Sequence, residues 1–190
     1  MINICGIDEA GRGCVAGSLF VCGVACESLS HIADLNDSKK LTRKKRDEIY
    51  RVAIEAEIPH FVVKISSNEI DSKGISACMK EALSQIMQNL PAERYIFDGN
   101  TSFGVNGIEC VIKGDSKIPQ ISLASIIAKS LKDKESDELY RLYPQFRFDK
   151  HKGYGTKEHI DEIIKSGFSP IHRKSFKIKG LEKLQENLLC

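Results

Sequence analysis

From Ile75 to Leu90 the apolar residues Ile75, Cys78, Met79, Ala82, Leu83, Ile86, Met87 and Leu90 recur at three- and four-residue intervals without a break. That spacing predicts a helix with one continuous apolar face. Such a face must be covered, and the flanking segments say by what. "INICGID", "SLFVCGVAC" and "HFVVKIS" before it, and "RYIFD" and "IECVIK" after it, are short runs rich in branched and aromatic residues, as in buried strands. Two more helices are predicted. One covers "LTRKKRDEIYRVAIEA", with Thr42 as its cap and Ile49, Val52, Ala53 and Ala56 on one face; the other runs from Ile121 to Leu142. Strands first, then alternating strand and helix, predict an α/β fold: a mixed sheet with helices on its faces. One connection fits poorly. Residues 99–107 are short for a crossover between parallel neighbours, which usually takes about a dozen residues or more.

Past Leu142 come an aromatic stretch, "YPQFRF", and a final amphipathic segment carrying Leu181, Leu184 and Leu188. With 190 residues, the expected organisation is a main domain over 1–142 with a small helical region, 143–190, packed on it. From Tyr140 onward eleven Lys/Arg face six Asp/Glu, whereas the first 139 residues hold seventeen against twenty. A basic end beside an acidic body suits a polyanionic partner whose chemistry takes place on carboxylates. No apolar run approaches the roughly 18 residues that span a membrane, and no signal peptide is visible. The seven cysteines are odd in number and mostly sit in apolar segments. Free thiols in a reducing cytoplasm are therefore expected, and without a C-x-x-C a zinc site is not.

The chemistry concentrates in "GIDEAGRGCVAG". A dinucleotide loop needs G-x-G-x-x-G between strand and helix. Here Gly17 follows Gly11 and Gly13 one residue too late, the next segment reads as a strand, and no G-K-[ST] follows. The acids make a better case. Asp8, Asp98 and Asp115 each lie at or just beyond a predicted strand end, where a sheet could bring them together with Glu9 into one crevice. Crowded carboxylates repel, and a divalent cation resolves the conflict. Oxygen donors without Cys or His select Mg²⁺ or Mn²⁺, and a pair of such ions is a device for splitting phosphodiesters. Since neighbouring strand residues face opposite ways, Asp8 and Glu9 are expected to share a site only if the strand ends or bulges there.

"GIDEAGRG", "LNDSKKLTRKKRDEIY", "FDGN", "KGDSKIPQISLASIIAKSLKD", "YPQFRFDKHKGYGTKEH" and "SPIHRKSF" stand in the order of the ribonuclease HII family, which the chain resembles from residue 4 to about 176. The resemblance implies a ribonuclease H-like fold. It also implies endonucleolytic cleavage of the RNA strand of RNA–DNA hybrids, including single ribonucleotides in duplex DNA, leaving 5′-phosphate and 3′-hydroxyl ends. It puts the metal-binding acids on Asp8, Glu9, Asp98 and Asp115, with Asp133 a further candidate on a helix facing the site. Gly11, Arg12 and Gly13 match the element that approaches the ribose 2′-hydroxyl, and Tyr154 the tyrosine that packs at the RNA–DNA junction. Ser38, Lys39, Lys152, His172 and Arg173 are candidate contacts to the nucleic-acid backbone. Two ions in the substrate complex, a monomer and a cytoplasmic location are expected.

Cys14 and Ser18 stand where the family commonly has proline, and Leu123 where a small residue is usual. The chain stops soon after the matched region, so no extended C-terminal partner-binding tail is expected. The alternative is a non-catalytic RNA–DNA hybrid-binding protein, which has no need of converging acids.

Overall fold

The computed structural model describes residues 3–30, 32, 35 and 41–182. Five strands form one mixed sheet: β1 (Ile4–Ala10), β2 (Leu19–Cys26), β3 (His60–Ile65), β4 (Arg94–Asp98) and β5 (Ile108–Val111), in the order β3-β2-β1-β4-β5. β1 pairs antiparallel with β2, and β2 with β3, whereas β4 runs parallel to both β1 and β5.

The helices are α1 (Arg43–Glu55), α2 (Ser67–Lys73), α3 (Ile75–Asn89), α4 (Pro119–Leu142), α5 (Phe148–His151) and α6 (Lys157–Ser166). The apolar stripe of α3 packs on one sheet face through Met79, Leu83 and Ile86, against Ile7, Leu19, Val21 and Phe97. On the other face Leu123, Ala124, Ile126 and Ile127 of α4 join Phe20, Cys22, Val24 and α1 residues Ile49 and Ala53. Alternate strand residues thus feed two cores, as a sheet covered on both faces requires. A third cluster, with Phe146, Phe148, Ile163 and Leu181, packs against Val15 and Ala16, so the C-terminal region sits on the β1–β2 connection.

Thr42 caps α1 by accepting from the Lys45 N–H, as expected. On that helix Ile49 and Ala53 are buried, whereas Val52 is half-buried and Ala56 exposed. α4 begins two residues earlier than its apolar pattern, with Pro119 in the first turn, where proline's missing N–H does no harm. α2 had no strong apolar period; a capping box between Ser66 and Glu69 starts it. The poorly fitting connection is real: β4 and β5 are parallel neighbours, Tyr95 opposite Ile108, joined by residues 99–107 alone. A helix-free crossover suffices because Phe103 folds its ring against Phe97, with centroids 6.3 Å apart, and Val105 packs half-buried against the same core.

Candidate active site

The site grows from a mismatch in strand length. The last β1–β4 pair is Ile7 with Phe97; β4 stops at Asp98, while β1 continues against β2 through Ala10. Asp8 therefore stands level with Asp98, the last residue of β4, and Glu9 reaches past it. The expectation that β1 must end or bulge at Glu9 is corrected. Pairing is regular through Asp8, Glu9 and Ala10, and the termination of β4 opens the sheet to both side chains. A cleft of about 450 Å³ forms there, lined by Asp8, Glu9 and Asp98, the loop Gly11–Gly13, Ser125 and Lys129 of α4, and Tyr154.

Asp8 is buried, and its carboxylate accepts the Glu9 N–H at 2.7 Å and a hydrogen bond from Ser125. Burial, then the charges of Glu9 and Asp98, push its carboxyl up to about 8. Glu9 turns to Arg12, with Oε1 and Nε 3.3 Å apart. Asp98 accepts the N–H groups of Gly114 at 3.1 Å and Asp115 at 3.3 Å, which ties the end of β4 to the 3₁₀ turn Gly114–Ser116. Asp115 itself is buried behind Asp98, outside the cleft lining.

Among the described residues no three Asp, Glu, His or Cys side chains converge tightly enough to ligate one ion. Glu9 leans on Arg12, and Asp98 on backbone amides. The donor chemistry nevertheless fits a hard divalent cation. Three carboxylates border one cleft, no sulfur or imidazole lines it, and Asp8 carries the raised pKa that like charges and burial impose.

Asp133 is neither an exposed helix acid nor a lining residue. It is 3% exposed and accepts from Arg46 Nη2 at 2.6 Å, with Lys129 Nζ at 3.7 Å. This ion pair joins α4 to α1.

The Gly-Arg-Gly loop is held from below by residues the sequence placed elsewhere. Gly11 adopts φ +91°, and a Cβ there would lie 2.9 Å from the Ser18 carbonyl and 3.2 Å from Lys132 Cε. Arg173, expected on the nucleic acid, is 0% exposed. Its Nη1 donates to the Arg12 carbonyl at 2.9 Å, while Nε and Nη2 donate to the Gly17 carbonyl at 3.1 and 2.9 Å. His172 is 1% exposed and bonded to His159 and Ser169. Both are corrected from substrate contacts to interior residues, because their polar atoms are consumed beneath the loop.

Lys152 is half-buried and ion-paired to Asp137 at 3.2 Å. Tyr154 lines the cleft and stays 43% exposed; partial burial of its ring and the neighbouring Cys14 push the phenol up to about 12. Ser38 and Lys39 lie outside the described residues.

Lys132 went unrecognised. Its buried chain runs past Gly11 to Glu135, with Nζ and Oε2 3.3 Å apart, and burial lowers its pKa. A sign of it existed, since Lys129, Lys132 and Glu135 share helical spacing. The positions where proline is common both use their N–H here: Cys14 donates to Gly11 at 3.2 Å, and Ser18 donates to Glu135 at 3.0 Å. Leu123 is buried in the core that joins α4 to the sheet.

A family model described as Ribonuclease HII matches residues 5–179. The ribonuclease HII of Helicobacter pylori (strain G27) is 49% identical over 188 residues, covering 93% of this chain and 92% of the relative. That of Sulfurovum sp. (strain NBC37-1) is 44% identical over 180 residues, covering 95% and 94%. Among solved structures, the RNase HII of Archaeoglobus fulgidus, determined in complex with PCNA, superposes with a TM-score of 0.74 at 30% identity, covering 90% of this chain and 91% of that one.

Proposed function

The chain belongs to the ribonuclease HII family, and from that premise we propose that Asp8, Glu9, Asp98 and Asp115 form the divalent-metal centre of an endoribonuclease that hydrolyses the RNA strand of RNA–DNA hybrids. The observation that carries this reading is the crowding of Asp8, Glu9 and Asp98 on one cleft beside Gly11–Gly13 and Tyr154. A divalent cation bound there offsets the repulsion among the acids and, as a Lewis acid, stabilises charge developing on the scissile phosphate. Oxygen donors alone favour Mg²⁺ or Mn²⁺, two of them in the substrate complex.

The chain's own residues set the geometry. Ser125 and the Glu9 amide fix the Asp8 carboxylate, and two amides fix Asp98, so the oxygen donors are oriented before substrate arrives. Gly11 and Gly13 let the backbone approach the ribose 2′-hydroxyl, the group that separates RNA from DNA. Arg12 and Lys129 border the same cleft and neutralise phosphates next to the cut. Tyr154 packs on the sugar at the RNA–DNA junction and extends the activity to single ribonucleotides in duplex DNA. Ser38, Lys39 and Lys152 contact the nucleic-acid backbone, giving salt-dependent affinity. The enzyme acts as a monomer, and its free thiols suit a reducing cytoplasm. Among the described residues no helix is long and apolar enough to cross a membrane.

The test is a labelled DNA duplex containing one ribonucleotide. A nick on the 5′ side of that ribonucleotide is expected with Mg²⁺ or Mn²⁺, and neither EDTA-treated protein nor Asp98→Asn should produce it. A folded wild-type protein that binds the duplex and cuts nothing would return the chain to the class of non-catalytic hybrid binders.

A further inference from the structure

Beneath the Tyr154 loop lie three buried histidines, His151, His159 and His172, which the proposed reaction does not use. Backbone donors fix their protons. The Ser169 N–H donates to His172 Nδ1 at 2.9 Å, so that nitrogen is the acceptor and the ring proton sits on Nε2. His172 Nε2 faces His159 Nε2 at 3.0 Å, which makes the latter an acceptor. The His159 proton is then on Nδ1, 2.9 Å from the carbonyl oxygen of Tyr154, which accepts it. Each link permits one direction only, and the chain of donors ends on the backbone of the cleft tyrosine.

The backbone beside these rings joins the segments that carry the site. His172 bridges Ala16, and Arg173 beside it holds the Arg12 carbonyl. The Tyr154 loop is fastened to that connection, because Val15 donates to the Gly153 carbonyl at 2.8 Å. The walls around the relay are largely aromatic. His151 stacks on His159 at 3.9 Å, and Phe146 and Phe148 stand edge-on to His172 and His159 at 4.8 and 5.4 Å. Water cannot readily replace a lost link there. Burial lowers the pKa of all three rings, which keeps them neutral and leaves the one-way pattern intact.

We propose that His159 and His172 are positioning residues for junction recognition: the relay Ser169–His172–His159 sets the Tyr154 backbone, and through it the ring that selects a ribonucleotide followed by DNA. The inference deepens the proposed function and rests on the reading of the cleft as a junction-cutting nuclease site.

The readout is the ratio of cleavage rates on two substrates, a duplex with a single ribonucleotide and a long RNA–DNA hybrid. His159→Gln keeps an acceptor for His172 but loses the donor to Tyr154. The ratio should fall about three- to tenfold, the effect of one buried hydrogen bond, with hybrid cleavage retained. His159→Asn keeps a donor near the Nδ1 position and should restore most of the ratio. In a Tyr154→Ala background His159→Gln should change nothing further, since both act through one ring. Equal loss on both substrates, or additive losses in the double variant, would overturn the inference while leaving the nuclease intact. Wild-type protein inactive on both substrates would overturn the nuclease reading and the relay with it. Should the variants fail to fold, long-range ¹H–¹⁵N spectra of the wild-type imidazoles decide the matter. His159 protonated at Nδ1 and His172 at Nε2 support the relay; His159 protonated at Nε2 refutes it.

Discussion

Gly6→Ala tests whether α4 must lie directly on β1 for the site to form. An added Cβ would stand 2.5 Å from the carbonyl carbon of Gln120 and closer still to Ile121 N. Ordinary van der Waals contact begins near 3.4 Å, so the overlap approaches 1 Å, and both obstacles are backbone atoms with no rotamer to yield. Either α4 shifts at its N-terminus or β1 bends. Overpacking of this kind costs about 1–3 kcal/mol. The entropy that alanine saves in the unfolded chain returns only about 0.4–1 kcal/mol. In a domain of this size each kcal/mol lowers Tm by about 2–4 °C. The effect on activity should exceed the effect on stability. Asp8 lies two residues along the same strand and is bonded to Ser125, one turn along the same helix; a displacement of about 1 Å at reacting groups can remove about 100-fold of rate. Gly13→Ala is the control, because a Cβ there meets nothing within 4 Å, and its Tm should equal wild type or rise slightly, never fall. Differential scanning calorimetry with single-turnover cleavage measures both. A Gly6→Ala protein that melts and cuts like wild type would refute the packing account.

Arg173→Met removes three donors from the Arg12 and Gly17 carbonyls. Urea unfolding should show a loss of about 3–6 kcal/mol, since two carbonyls each lose a charged donor and such a bond contributes about 1.5–3 kcal/mol; an unchanged midpoint would remove its role under the loop. Arg46→Met takes the 2.6 Å partner from the Asp133 carboxylate in the interior, leaving Lys129 at 3.7 Å among the described residues, and should cost about 3–5 kcal/mol. Arg46→Met combined with Asp133→Leu should recover much of that loss in the same assay. Burial holds His151 and His159 at about 4 and His172 at about 3, below the ordinary 6.5. The unfolded chain therefore binds protons that the folded rings refuse. Their contribution is complete above about pH 6.5 and is lost as pH falls through 4 towards 3. Thermal melts from pH 7 to 4 should show Tm declining; a flat profile would mean the rings are not buried as neutral groups.

The strands and long helices were legible because local pattern and tertiary burial agree in them. The Ile75–Leu90 stripe is buried along the face its spacing predicts. The adjacency of Asp8 and Asp98 was legible from their places at strand ends, since both follow the last β1–β4 pair. What stayed hidden depends on distant partners. Nothing local in "IHRKSF" marks Arg173 as interior, since its bonds reach back 156 and 161 positions to Gly17 and Arg12. The burial of Asp133 likewise depends on Arg46, 87 residues earlier. Basic residues were assigned outward to a polyanion by type alone, and those that close polar gaps under a loop look the same in sequence. The short crossover between β4 and β5 was judged by an average length; Phe103 and Val105, half-buried against the core, make a shorter one sufficient.

The central claim is that the acids of the cleft hold the divalent cation the reaction needs. Mn²⁺ binding to the free protein and to the protein with an uncleaved hybrid, followed by electron paramagnetic resonance, tests it most directly. Wild-type protein should take up the ion at low concentration. Asp8→Asn and Asp98→Asn, with folding confirmed by unchanged melting cooperativity, should weaken that uptake by about tenfold or more. Variants that bind Mn²⁺ as tightly as wild type would place the ion elsewhere and contradict the account.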